Sequence, residues 1–167
     1  ILDGDWLLAV APTFQPSPIQ IVYRRSANGW EELSSLPTPS HITSNLAHFS
    51  GHALDGRWVA TGHFTFNQIR GTVQVRQLDD RGRILTDQRI DYPRNARAGF
   101  GSSLAIDGSF MAIGAPQKDF RGTWGVGEVW IYKLVGQNWE QVQVLVPHPS
   151  LHYFRYDFGV LVHMEGE

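Results

Sequence analysis

A motif built around an Asp-Gly pair recurs at a fixed interval and is the feature that most limits how this chain can fold. It reads DGDWLLAVAP from Asp3, DGRWVATGHF from Asp55 and DGSFMAIGAP from Asp107, so both intervals are 52 residues. A truncated fourth copy closes the sequence, where FGVLVHMEG from Phe158 matches FGSSLAIDG from Phe100. Such self-similarity is typical of a structural unit that is repeated along the chain.

Each repeat contains four predicted β-strands. The Asp-Gly pair favours a tight turn between two strands. Downstream of it, each copy has a β-branched or aromatic run, at 19–23, 72–76 and 128–132, and a second turn then leads into a further strand. No stretch keeps a helical spacing of apolar residues for more than a few residues. The sequence therefore predicts an all-β fold, a β-propeller of four-stranded antiparallel blades with about three blade equivalents.

The repeats also predict how the chain is divided. It is a single propeller segment, 1–167, with blades at approximately 1–46, 47–98 and 99–157 and a terminal closing strand at 158–167. Counted from the channel outward, the predicted order begins at strand 2 of the first blade. Three blades are fewer than the roughly four of the smallest propellers. We therefore expect either a piece of a longer propeller, which a stop inside a hairpin favours, or two copies that exchange the terminal strand in a six-bladed ring.

Charge and composition limit the classes of partner. The 14 Lys and Arg residues against 16 Asp and Glu residues give a net charge of −2, which offers no general attraction to nucleic acid or to an anionic membrane. No apolar run approaches the roughly eighteen residues of a membrane span. The chain starts at Ile1 without the plan of a signal peptide, so we expect a mature or excised piece of a longer product.

The third copy resembles the FG-GAP repeat of integrin-type β-propellers, in its microbial form. The resemblance rests on GFGSSLAIDG from Gly99, on MAIGAP from Met111, and on the Trp-containing strand from Trp139 to Leu145. The first two copies are degenerate versions of this pattern. The resemblance implies a ring of usually seven blades that serves adhesion or the recognition of proteins and glycans. It also implies an extracellular or otherwise exported location.

Members of that family often hold Ca²⁺ in the loop after Gly-Ala-Pro, but this sequence departs from the pattern. The corresponding loops, 13–18, 65–71 and 117–127, contain one acidic residue, Asp119. Because Ca²⁺ takes about six to eight oxygen ligands, we expect no metal site and no cofactor. His48 and His52 would lie about 13 Å apart on one strand face, too far to share an ion, and we expect them to fill a degenerate blade.

The tryptophans fall into two groups, those at positions that recur between repeats and those outside the repeat. Trp6 and Trp58 match each other, as do Trp30 and Trp139, so we expect all four to pack between blades. Other aromatic residues lie in non-repeating loop insertions, next to Arg155 and Asp157, where binding residues are often found. The candidate ligand-binding residues are Asp119, Arg121, Trp124, Tyr153, Phe154 and Tyr156.

No catalytic residue is expected, since no Gly-x-Ser-x-Gly elbow is present and Gly101-Ser102-Ser103 belongs to the repeat itself. The favoured hypothesis is a non-catalytic interaction or scaffold module that presents its loops to a protein partner or to the remaining blades. One alternative is a lectin-like propeller that binds glycans through the loop aromatics. Another is a propeller appended to a hydrolase whose catalytic residues lie outside this chain.

Overall fold

The computed structural model describes residues 1–11, 19–37, 51–63, 71–94, 97–151 and 154–166. Within these residues, the strands form three four-stranded antiparallel sheets that follow one another along the chain. The first sheet is β1 (Leu2–Asp3), β2 (Trp6–Ala11), β3 (Ile19–Ser26) and β4 (Gly29–Leu36). The second is β5 (His52–Asp55), β6 (Trp58–His63), β7 (Thr72–Leu78) and β8 (Ile84–Asp91). The third is β9 (Leu104–Asp107), β10 (Phe110–Ala115), β11 (Glu128–Val135) and β12 (Asn138–Leu145), followed by a 3₁₀ turn at Pro149–Leu151.

In every sheet each strand pairs with its neighbours in sequence, so the predicted all-β fold and its unit of four antiparallel strands are confirmed. The first hairpin of each sheet turns through the Asp-Gly pair. Gly4, Gly56 and Gly108 have φ values of 52°, 52° and 55°, in the left-handed region where a side chain is strained. The repeated Asp-Gly pair therefore sets the same hairpin in all three sheets. The predicted blade boundary at 46–47 lies outside the described residues.

The core lies between the sheets. One cluster packs Trp6, Leu8 and Val22 of the first sheet against Leu54 and Val59 of the second. A larger cluster packs the opposite side of the second sheet against the third. Strand β6 contributes to both clusters, and all six of its residues are buried. The second sheet is thus covered on both faces.

The tryptophan prediction is confirmed at three positions and wrong at the fourth. Trp6, Trp58 and Trp139 are buried, and the rings of Trp58 and Trp139 meet edge to face with centroids 5.4 Å apart. Trp30, at the position of Trp139, is 42% exposed. The reason is that Trp139 packs on the preceding sheet, whereas among the described residues no sheet precedes the one that carries Trp30.

The predicted strand order is wrong at its start. Leu2–Asp3 forms β1 and pairs with β2 through Leu2↔Leu7 and Asp3↔Trp6, so the first sheet already has an inner strand. Ile1 extends the pairing, since its amino group donates to the Leu8 carbonyl at 3.0 Å and its carbonyl accepts from the Leu8 amide at 2.9 Å. The Asp-Gly turn folds the residues before it onto Trp6 and Leu7, which supplies this strand.

The terminal segment 158–166 docks on the third sheet without forming a strand. Phe158 makes an isolated parallel bridge with Gly127, and the Ser103 hydroxyl donates to the Gly159 carbonyl at 2.6 Å. Residues 162–166 then line a cavity of about 630 Å³ together with the inner strands β1, β5 and β9. The terminal closing strand at 158–167 stays a prediction, because the described residues 158–166 lie beside the third sheet without being paired as a strand.

Candidate functional site

The loop between β10 and β11 is built by its own main chain. Phe120 and Thr123 exchange hydrogen bonds of 3.0 and 2.9 Å, and the Gly127 amide donates to the Lys118 carbonyl at 2.9 Å. Between Phe120 and Thr123 the chain turns through Arg121, at φ 50°, and Gly122, at φ 86°. These bonds give the loop a defined shape at the edge of the third sheet.

Asp119 holds this loop rather than projecting from it. Its carboxylate oxygen Oδ1 accepts a hydrogen bond of 3.1 Å from the Gly125 amide. Its main-chain carbonyl accepts from the Lys118 ammonium at 2.6 Å. The predicted ligand-binding residue Asp119 is therefore engaged in the turn through the Gly125 amide.

The second insertion packs directly on the first. The amides of Tyr156 and Asp157 donate to the Gly125 carbonyl at 3.0 and 2.8 Å, and the Phe158 amide donates to the Val126 carbonyl at 3.2 Å. Asp157 adopts a left-handed conformation, with φ 49°. Two loops about thirty residues apart in sequence are thus joined by three main-chain hydrogen bonds.

An arginine stacks on the exposed tryptophan at this junction. The guanidinium carbon of Arg155 lies 4.0 Å from the ring centroid of Trp124, and its Nε lies 3.0 Å from each carboxylate oxygen of Asp157. Trp124 is 46% exposed. A cation–π contact at an exposed site contributes roughly 0.5–1 kcal/mol. The Trp124 ring is thus covered on one face by an arginine that is itself paired with Asp157, and part of the ring stays open to solvent.

Two further exposed aromatic rings belong to the residues on either side of Arg155 in the sequence. Phe154 and Tyr156 meet nearly edge to face, with centroids 6.1 Å apart. Both rings are exposed, as is part of Phe158. Exposed apolar side chains that are grouped on a surface are a common mark of an interaction site. We call Trp124, Arg155, Asp157, Phe154 and Tyr156 the loop cluster.

The structure thus joins the loops that carry Trp124 and Tyr156 through main-chain hydrogen bonds, and it pairs the rings of Phe154 and Tyr156. Asp119 bonds the Gly125 amide, next to Trp124. Arg121 instead lies over the Phe120 ring, with its guanidinium carbon 5.4 Å from the centroid. Tyr153 lies outside the described residues. The sequence pattern identified the insertions because they do not repeat. Arg155 and Asp157 were identified from the sequence only as neighbours of the loop aromatics, although they form the centre of the loop cluster.

A buried carboxylate supports the base of the same loop. Glu128, the first residue of β11, accepts hydrogen bonds from the Tyr92 hydroxyl at 2.7 Å, the Trp130 indole at 2.8 Å and the Arg94 guanidinium at 3.0 Å. Burial, and then the hydrogen bond to the Glu128 carboxylate, raises the pKa of Tyr92 well above its usual range. Arg94 also stacks on Trp130, at 5.3 Å from the ring centroid. Sequence reasoning missed Glu128, because one acid in a β-branched run carries no motif.

Histidines and acids do not gather in the described part of the chain: no group of three or more of them could hold a metal ion. Burial, with the nearby amino-terminal ammonium as a smaller cause, lowers the pKa of His52 to about 4. His48 and the predicted loops 13–18 and 65–70 lie outside the described residues. Nor do the described residues include a helix that is long and apolar enough to cross a membrane.

Three consecutive four-stranded meanders, each opening on an Asp-Gly hairpin and packed through aromatic side chains, define an all-β repeat protein. Residues 94–132 match the family model described as the FG-GAP repeat, which confirms the resemblance predicted from the third copy. The matched segment contains Arg94, Glu128 and the whole loop from β10 to β11. No curated protein matches the chain significantly.

Proposed function

We propose that this chain is a non-catalytic interaction module made of FG-GAP β-propeller blades, and that the loop cluster anchors a protein partner. An FG-GAP repeat suggests a propeller-like module of a kind often used in protein interaction. The three sheets have the strand number and order of propeller blades. An exported location, as for adhesion modules, is part of this proposal.

One observation carries the proposal: the exposed Trp124 ring is held by Arg155 and Asp157 on loops that are hydrogen-bonded to each other. Trp, Tyr and Arg are the residues that most often dominate the binding energy of protein interfaces. A ring that already stacks on a neighbouring side chain in the free protein loses less conformational freedom when a partner binds. The loop cluster therefore combines the residue types and the rigidity of an interface anchor.

The same geometry favours a protein over a glycan. A sugar that stacks on tryptophan needs an open ring face, and the Arg155 guanidinium covers one face of Trp124 at 4.0 Å. The Arg155 Nε is directed to Asp157 rather than to solvent. The cluster thus offers aromatic edges and one remaining face, which suit apolar side chains of a protein.

The test compares the wild-type chain with a Trp124→Ala, Phe154→Ala variant as affinity baits for extracellular proteins, with quantitative mass spectrometry as the readout. Leu85→Ala is the matched control, because Leu85 is an exposed apolar residue on β8, outside the loop cluster. We expect the double variant to capture a defined set of proteins at least about tenfold less than wild type does. The Leu85→Ala control should capture the same set in wild-type amounts.

Equal capture by wild type and double variant would contradict the proposal. A glycan array run in parallel decides between protein and sugar. Saturable binding of a sugar that Trp124→Ala abolishes, without any protein enriched by the wild-type chain, would replace the protein anchor with the lectin alternative.

A further inference from the structure

The Arg155 guanidinium is only partly used by the contacts inside the loop cluster. Stacking on Trp124, at 4.0 Å, occupies one face of the guanidinium, and its Nε–H is directed to the Asp157 carboxylate. The N–H donors on the Nη atoms lie in the guanidinium plane, away from the stacked face. Among the described residues, no group accepts a hydrogen bond from these Nη donors. Arg155 therefore presents an open edge of donors, although its face and its Nε are already engaged.

Coplanar donors of this kind suit a carboxylate. The edge of a guanidinium can make parallel N–H···O bonds to both carboxylate oxygens, and such charge-assisted bonds are roughly twice as strong as neutral ones. The ammonium group of lysine lacks this planar fork. The side chain of Arg155 is 52% exposed, so a partner can reach its Nη atoms. An acidic side chain is therefore the group that best fits the open edge of Arg155.

Further positive charge lies in the same loop as Trp124. Asp157 already neutralises Arg155, so a second carboxylate needs another basic residue nearby. Arg121 lies in the turn that the bonds between Phe120 and Thr123 close, and its side chain is exposed. Its guanidinium carbon lies over the Phe120 ring at 5.4 Å, and no described carboxylate lies within ion-pair distance of it. Arg121 thus supplies a charge that the described part of the chain leaves without a counter-ion.

The acidic residues of these loops, in contrast, all accept hydrogen bonds inside the protein. Asp119 accepts from the Gly125 amide at 3.1 Å, and Asp157 accepts from the Arg155 Nε at 3.0 Å. Glu128 is buried and accepts from three donors. A basic partner would compete with bonds that these carboxylates already make, whereas an acidic partner would find open donors. The electrostatics of the loops therefore favour an acidic partner.

We propose that the loop cluster binds an acidic segment of its protein partner. One carboxylate of that segment pairs with the open edge of Arg155, and an adjacent apolar side chain packs on the open part of the Trp124 ring. Arg121 attracts the same segment at longer range. The net charge of the chain is −2, so this attraction is local to the loops. The inference rests on the proposed function, because it names the chemistry of the protein that the loop cluster anchors.

The test measures which peptides the chain binds. Degenerate peptide pools carry leucine at the centre and Glu, Gln or Lys at a fixed neighbouring position, and binding of the labelled wild-type chain to each immobilised pool is quantified. Because Glu and Gln have the same shape, the ratio of binding to the Glu pools over the Gln pools isolates the effect of charge. We expect a ratio of at least about five, since charge-assisted hydrogen bonds are stronger than neutral ones. The ratio should fall as salt is added.

Two variants should move this ratio in opposite directions. Arg121→Gln removes an attracting charge and should lower the ratio about two- to fivefold. Lys133→Gln is the matched control and should leave it unchanged, because Lys133 is also an exposed cation over an aromatic ring, that of Phe110 at 5.7 Å. Asp157→Asn removes the competing carboxylate and should raise the ratio at least about twofold. Asn tolerates the φ of 49° at this position, and damage to the fold would not raise the ratio.

Equal binding to the Glu and Gln pools, a preference for the Lys pools, or binding to none of them would overturn the acidic partner. An unchanged ratio in the Trp124→Ala, Phe154→Ala variant would also overturn it, because the carboxylate would then bind elsewhere on the chain. Displacement of the Glu pools by oligothymidylate would replace the protein segment with a general polyanion.

The capture experiment tests the loop anchor separately from the charge of its partner. If the double variant loses captured proteins but the pools show no selection for Glu, the anchor stands and its acidic partner is wrong. If the double variant captures the same proteins as wild type, the anchor itself is wrong.

Discussion

Trp139 and Trp30 occupy the same position in two sheets and have opposite environments. Trp139 is 2% exposed, because the second sheet lies against its ring, while Trp30 is 42% exposed and has no sheet against it among the described residues. The residue type and its place in the strand are identical. What differs is the neighbouring sheet. In an array of repeats, the stability contribution of a side chain is therefore set as much by the adjacent unit as by its own.

The same contrast applies to whole sheets. The second sheet belongs to both core clusters and is covered on both faces, whereas the first and third sheets each belong to one. A substitution in the interface between the second and third sheets should lower the free energy of unfolding of the isolated chain. The equivalent substitution on the uncovered face of the first or third sheet should change the free energy of unfolding little, unless another sheet covers that face.

Replacing the two tryptophans tests this contrast most directly. Trp139→Ala removes a buried ring and leaves a cavity, so we expect it to lower the free energy of unfolding by about 3–5 kcal/mol. Trp30→Ala should lower the free energy of unfolding by less than about 1 kcal/mol, because the ring is exposed. Urea denaturation followed by tryptophan fluorescence and circular dichroism measures both values. Equal losses would show that the two positions are not in different environments.

The second prediction concerns the buried carboxylate under the loop. Glu128→Gln keeps the shape of the side chain but leaves the Arg94 charge without its counter-ion and weakens the bonds from Tyr92 and Trp130. We expect a loss of about 2 kcal/mol in the free energy of unfolding, because the bonds to the buried carboxylate are weakened while water screens the half-exposed Arg94 charge. Glu140→Gln, on the exposed face of β12, is the control and should change it by less than about 0.5 kcal/mol. Similar small losses for both would mean that Glu128 is not held as the structure places it.

The repeat was enough to predict the sheets. The spacing of the Asp-Gly pairs and the four apolar runs in each copy specify the hairpins, because both are local properties of the sequence. The interior position of Trp58 and Trp139 also follows from their repetition. The exposure of Trp30 does not, since it depends on which sheet lies next to it. The short strand β1 was missed because two residues before a turn give no periodic pattern.

The candidate site was predictable only in part. The absence of Trp124 and Phe154 from the repeat identified the insertions as unusual. Their meeting could not be predicted, because it depends on hydrogen bonds from Tyr156 and Asp157 to the Gly125 carbonyl across about thirty residues. Main-chain contacts of this kind leave no signature in residue type.

The third prediction uses the pH dependence of the second sheet. His52 begins β5, and Leu104 holds the equivalent position in β9. Burial lowers the pKa of His52 to about 4, against 6.5 in an unfolded chain. The unfolded chain therefore binds the proton more readily than the folded one. The stability linked to the neutral histidine is complete above pH 6.5 and is lost as the pH falls towards 4.

We expect His52→Leu, which copies the third sheet, to flatten the change in unfolding free energy over this range by about 2 kcal/mol. Chemical denaturation at pH 7.5, 5.5 and 4.5 measures it, with His163→Gln as the control because His163 is exposed. Carboxylates titrate in all three proteins, so the difference between the curves isolates His52. Parallel curves for His52→Leu and wild type would show that His52 is protonated as easily in the folded chain as in the unfolded one. The sheet covered on both faces would then have no pH dependence of stability that distinguishes it from the other two.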